Sequence, residues 1–182
     1  AGLARPGAHI VHYPSMYFDG YIPDLMYLRD DAGGHVLEGP FDYHDRLVLE
    51  AYAAGATVPE TIAMLLDPER PSGALAAAEL TLSTLRAREE GCEAGIAEYT
   101  ESRFRDELLF FTMNHPSNAL VGHVADQVYD LIGLPGRSDV TRLPGELLGS
   151  TQYPLHAADV RDLGLTFGDT VTADVQGYHI RT

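Results

Sequence analysis

Five consecutive residues, Asn114-His115-Pro116-Ser117-Asn118, concentrate the most chemistry in this chain. They follow the apolar run Leu108–Met113 and precede a helical pattern, so they form a polar turn between a buried segment and a helix start. A histidine in such a turn can act as a general base, and Ser117 can donate to a phosphate or an oxyanion. The free N–H groups of a helix N-terminus attract anions in their own right. The competing reading is capping alone: Ser117 caps, Pro116 stiffens the turn, and Asn114 and His115 satisfy backbone groups.

A second cluster lies earlier. His12-Tyr13-Pro14-Ser15 and Tyr17–Asp24 combine aromatics with His, Ser and two Asp in a loop-like stretch. Such mixtures line pockets, and they also make packed loops with hydrogen-bonded Tyr hydroxyls. His44 can face a ligand at the opening of a helix, where Asp42 and Asp45 are also ordinary partners of the helix dipole. His123 and Asp126 are spaced for a helix-surface pair. Cys92 sits in REEGCEAG, where acidic neighbours make a thiol a poor nucleophile, so it reads as structural. The phosphate-loop, GxGxxG, GxSxG and HExxH patterns are absent, and the eight His are scattered without metal-ligand spacing, so no metal is expected.

The elements that position these residues follow from local pattern. Ala8–Pro14 reads as a short strand, Tyr21–Leu28 as extended or irregular around Pro23, and Asp30–Pro40 as a turn-rich loop. A first helix follows Asp42 as N-cap, with Leu47, Val48, Ala51 and Tyr52 on one face and Gly55 past its end. Thr57 and Glu60 have capping-box spacing for a second helix, with Ile62, Leu65 and Leu66 expected inward and Pro68 as its stop. A long helical stretch is expected over Ser72–Arg105, broken or bent at Gly91 or Gly95. Leu108–Met113 has no polar face and reads as a buried strand of a parallel sheet. A helix from Ser117 to Gly133 carries Leu120, Val121, Val124, Val128, Leu131 and Ile132. One weak helix is expected at Ala158–Leu163 and short strands over Leu165–Arg181. The expected fold class is α/β: a helix-rich single domain over residues 1–182 with a small, mainly parallel sheet.

The whole-chain arithmetic narrows the function. The 182 residues suit one domain, able to bury roughly 70% of its unfolded surface. The 27 acidic and 12 basic residues give a formal charge of −15, which argues against nucleic acid and anionic membranes as partners. No 18-residue apolar run is present, so no membrane span is expected. A single Cys excludes an internal disulfide framework and suits a reducing compartment, hence an expected cytoplasmic location. The chain starts at Ala1, so either its start is processed or the sequence begins partway through a longer protein.

Four segments occur in an order that resembles one family: HYPSMYFDGYIPDLMYL (His12–Leu28), GPFDYHDRLVLEAYAAG (Gly39–Gly55), FFTMNHPSNALVGHVADQVYDLIG (Phe110–Gly133) and YPLHAADVRDLGL (Tyr153–Leu165). The chain is similar to the WcbI-type polysaccharide-biosynthesis family, thought to be coenzyme A-binding acetyltransferases acting on capsular sugars. Two departures stand out. The family's Gly-Asn-Cys-Gln motif has no counterpart here, and Ile22 stands where the family has a His.

The resemblance implies that the Tyr17–Asp24 loop, the helix start at His44 and the Asn114–Asn118 turn converge on one cleft. It implies acyl transfer from coenzyme A or acetyl-coenzyme A to a sugar hydroxyl or related small acceptor. His115 and His44 are then the base candidates and Ser117 the hydroxyl donor. Asn114, Asn118, Tyr21, Asp24, Arg103 and Arg105 are the candidates to hold the cofactor, with Arg46 a further cation for its phosphates. Two other readings use the same residues: a non-catalytic subunit beside a chain that carries the catalytic segment, or a hydrolase with water as acceptor. A homo-oligomer or a partner chain is compatible with all three.

Overall fold

Four aromatic rings make the centre of the fold. Phe18 packs against Tyr21, Phe104 and Phe110 at centroid distances of 5.0, 5.4 and 5.8 Å. These rings come from three separate segments, so their burial ties the N-terminal loop to the middle of the chain. In the computed structural model, the described residues are 5, 7–30, 32, 34, 42–167, 173–175 and 178–180.

The elements run β1 (Leu25–Tyr27), β2 (Tyr43–Asp45), α1 (Arg46–Ala53), α2 (Val58–Leu66), α3 (Ala74–Glu89), α4 (Ala97–Arg103), α5 (Asn118–Ile132), β3 (Thr151–Gln152), α6 (Ala157–Leu163), β4 (Ala173–Val175) and β5 (Tyr178–Ile180). A short 3₁₀ turn at Val140–Arg142 precedes β3. Helix α3 supplies Ala74, Ala78, Leu82 and Leu85 to the core, a helical stripe that is small in its first half. It packs against α4 and α6. Its small residues let the preceding loop lie close. A Cβ on Gly20 would stand 2.8 Å from the Ala78 Cβ and 2.5 Å from the Phe18 ring.

The expected parallel sheet is not what forms. β1 pairs with β2 antiparallel, and β3, β4 and β5 form a second antiparallel sheet. The segment Leu108–Met113 is buried as expected over Leu109–Met113, yet it makes only one antiparallel bridge, Phe110 with Pro116. Its backbone is satisfied by four different partners. Phe111 N donates to His115 O, Phe111 O accepts from Tyr153 N, Leu109 O from Ser117 N, and Met113 O from Phe18 N, all at 2.8–3.0 Å. Scattered partners of this kind meet the demand for buried hydrogen bonds without a ladder.

Other local differences have equally local causes. Ala8–Pro14 forms no strand; the His12 carbonyl accepts instead from Glu93 N and Ala94 N. The N-cap of α1 is Asp45 rather than Asp42, with its carboxylate accepting from Leu47 N and Val48 N. The residues before it pair with β1, which moves the helix start forward. The stretch 72–105 divides into α3 and α4, with Gly91 at φ 88° between them. Helices α1 and α2 bury no residue, and Ile62 and Leu66 are exposed rather than inward. The Thr57–Glu60 capping box, and Gly133 in the left-handed region after α5, form as the sequence indicates. Most of the expected Asp30–Pro40 loop lies outside the described residues, as does part of the Leu165–Arg181 segment.

A buried ion cluster joins the first sheet to the C-terminal helix. His156 Nε2 lies 2.9 Å from Asp45 Oδ2, and its Nδ1 lies 3.5 Å from Asp159 Oδ2. Arg70 reaches Asp159 at 3.6 Å and Asp24 at 3.9 Å, and Arg46 pairs with Asp24. Ser72 Oγ donates to Asp159 at 2.6 Å, and Tyr153 donates to Asp45 at 3.3 Å. Burial disfavours charge on His156, but hydrogen bonds and charges from Asp159 and Asp45 outweigh it and raise its pKa from 6.5 to about 9. Burial likewise raises the Asp45 carboxyl, and His156 more than offsets it, so its pKa is lowered.

Because the folded pKa of His156 is raised, its contribution is fully present below about pH 6.5 and is lost as pH rises through about 9. The urea midpoint therefore falls between neutral pH and pH 9, and His156→Gln flattens that slope. Breaking the cluster with His156→Ala costs about 3–5 kcal/mol of stability, because it strands buried carboxylates. A slope equal in wild type and His156→Gln would refute the assignment.

Candidate functional site

The register of β1 and β2 sets Tyr27 opposite Tyr43, with rings 5.0 Å apart. This pair lies against the Asn114-His115 turn. Tyr43 donates to Asn114 Oδ1 at 2.8 Å, and its oxygen lies 3.4 Å from His115 Nε2. The Tyr43 and His115 rings meet edge to face at 6.0 Å. Asn114 Nδ2 donates to Tyr27 Oη at 3.3 Å, and Thr112 Oγ1 donates to Asn114 Oδ1 at 3.2 Å. The amide of Asn114 is thus oriented from three sides while the residue itself stays exposed. Burial, then the Tyr27 hydroxyl, pushes the Tyr43 pKa up to about 12, so this phenol remains a hydrogen-bond donor throughout the neutral range.

Two buried polar atoms of this turn have no hydrogen-bond partner, His115 Nδ1 and Ser117 Oγ; His44 Nδ1 on β2 is a third, placed elsewhere. Orphaned polar atoms are costly in a folded protein.

The other candidate residues are placed differently. Strand alternation puts His44 on the face of β2 opposite to Tyr43 and Asp45, away from His115. Tyr21 is in the core at 1% exposure, its hydroxyl 2.7 and 2.8 Å from the carbonyls of Phe104 and Glu107. Asp24 belongs to the buried ion cluster. Arg103 pairs with Glu107 and covers the Tyr99 ring, and Arg105 donates to Leu163 O while covering Phe104. No arginine group for phosphates forms from Arg103, Arg105 and Arg46.

The start of α5 is already filled by an acid. Glu146 Oε2 accepts from Asn118 N at 2.6 Å, and the Asn118 side chain binds Gly145 O and Leu147 N. The expected anion position at this helix N-terminus is therefore held by a carboxylate of the chain itself. Sequence reasoning missed Tyr27, Tyr43 and Glu146. The alternation Tyr43-His44-Asp45 was the available signal for a strand. Nothing in the sequence pairs Glu146 with Asn118.

A fixed amide, a protonated phenol and an imidazole thus meet at one turn. The chain belongs to the family described as polysaccharide biosynthesis enzyme WcbI, whose profile matches residues 1–137. A solved structure of WcbI is similar in fold, with a TM-score of 0.72 and 18% identity, over 96% of this chain and 58% of that one. The chain thus spans somewhat more than half the length of that protein. That solved structure is described as the native protein without a disulfide bond between coenzyme A and one of its own cysteines. No curated protein matches the chain. Among the described residues, no helix is long and apolar enough to cross a membrane.

Removing the Glu146 carboxylate with Glu146→Ala frees the first amide of α5. Hydrogen exchange at Asn118 N–H is expected to speed up about tenfold or more, while exchange in α3 is unchanged. Equal exchange at Asn118 in both proteins would show that Glu146 does not hold this helix start.

Proposed function

We propose that this chain binds a coenzyme A thioester and transfers its acyl group, acetyl in the simplest case, to a hydroxyl of a sugar or related small acceptor. The observation that carries the reading is His115, oriented beside Tyr43 and Asn114 with its Nε2 held only by a long 3.4 Å contact. An acceptor hydroxyl gives its proton to Nε2 as its oxygen bonds to the acyl carbon. The carbon–sulfur bond breaks, and the imidazolium returns the proton to the departing thiolate. Tyr43 and Tyr27 fix the Asn114 amide, whose second N–H is left to stabilise the acyl oxygen. The family description and the coenzyme A named for the similar structure support the donor class.

Titration calorimetry with coenzyme A and acetyl-coenzyme A tests the donor. Micromolar affinity, about −8 kcal/mol, is the expected result, and no binding at millimolar ligand overturns the reading. His115→Ala is expected to reduce thiol release in the presence of sugar acceptors by about 100-fold or more, with coenzyme A affinity retained. Unchanged turnover removes His115 from the base role, and free acetate as the sole product would make water the acceptor.

A further inference from the structure

A cleft opens between the N-terminal loop and α3. It has a volume of about 190 Å³ and is lined by Tyr17 and Asp19 from the N-terminal loop and by Leu80, Thr81, Thr84 and Arg88 from α3. Ligand pockets for drug-sized molecules run roughly 300–1,000 Å³, so this cleft suits a single sugar ring.

The lining has a definite chemical character. Arg88 is exposed and has no ion pair among the described residues, although the chain carries a formal −15. Its neighbours differ: Arg86 pairs with Glu101 and Arg103 with Glu107. Tyr17 interacts with the Asp19 carboxyl, and Thr81 Oγ1 accepts only a long 3.4 Å bond from Asp19 N. Thr84 gives its proton to Leu80 O, which leaves its oxygen free to accept. Burial raises the Asp19 pKa, and the hydrogen bond from Tyr17 offsets part of that rise. The absence of a side chain at Gly20 lets this loop press on α3 and sets Asp19 over Thr81. One unpaired cation beside several hydroxyl-directed groups and an apolar rim matches a polyhydroxylated ring with one anionic substituent.

We infer that the Tyr17–Asp19–Arg88 cleft is a binding subsite for an acidic sugar unit, with Arg88 on the anionic group and Asp19, Thr81 and Tyr17 on ring hydroxyls. As the seat of the acceptor it rests on the transfer reading above; as a ligand site it stands alone.

Binding is tested directly, by calorimetric titration of the chain with glucuronate, glucose 1-phosphate, glucose and acetate. At least one of the two acidic sugars is expected to bind about tenfold tighter than glucose and acetate, since the charge-assisted contact adds to the hydroxyl contacts. Which of the two does so tells whether the anion is a carboxylate or a phosphate. Arg88→Gln removes the preference, while Arg86→Gln leaves it intact; both are exposed positions, and thermal unfolding confirms the fold. Acidic sugars that bind no tighter than glucose, or equally well to Arg88→Gln, overturn the subsite. Acetyl-coenzyme A is titrated in parallel. Sugar binding without donor binding would sink the transfer reading and leave the subsite standing.

Discussion

The position of every functional group here depends on a buried cluster of opposite charges. Asp24, at the entry to β1, and Asp45, at the end of β2, are held by Arg46, Arg70 and His156. Asp159 closes the cluster from α6. A two-stranded ribbon of three residues each is marginal by itself. The cluster gives it a fixed partner, so that Tyr43 stands where it can meet Asn114. The geometry is costly to assemble, because ions must leave water, and costly to break, because any missing partner leaves a charge stranded.

From that anchor the site follows in two steps. Antiparallel register places Tyr27 against Tyr43, and the pair then orients one amide and approaches one imidazole. The Leu109–Met113 segment holds the turn through hydrogen bonds to the turn itself, to Phe18 and to Tyr153. The site is thus built from residues far apart in sequence on a support that is neither a helix nor a regular sheet.

This explains what the sequence made legible and what it did not. Ser117, Gly133, Thr57, Glu60 and Gly91 mark element ends through local backbone chemistry, and each is found at such an end. The Asn114-His115 turn was visible because His between an apolar run and a helix start is a local pattern. The run Leu108–Met113 was read as a strand because burial on all sides looks the same whether the hydrogen bonds go to one neighbour or to three. Ile62 and Leu66 were read as inward because periodicity reports an apolar face and says nothing about what covers it. His156 and Arg70 escaped notice because their partners lie far off in sequence.

The three carboxylates of the buried cluster are matched by Arg46, Arg70 and a protonated His156, so the cluster is close to neutral. The formal excess of −15 therefore lies almost wholly on the outside. Dissolved salt screens exposed charges far more than buried ones. Raising ionic strength relaxes the repulsion among the surface carboxylates and leaves the interior pairing nearly untouched. The chain is built to be steadier in concentrated electrolyte than in dilute buffer.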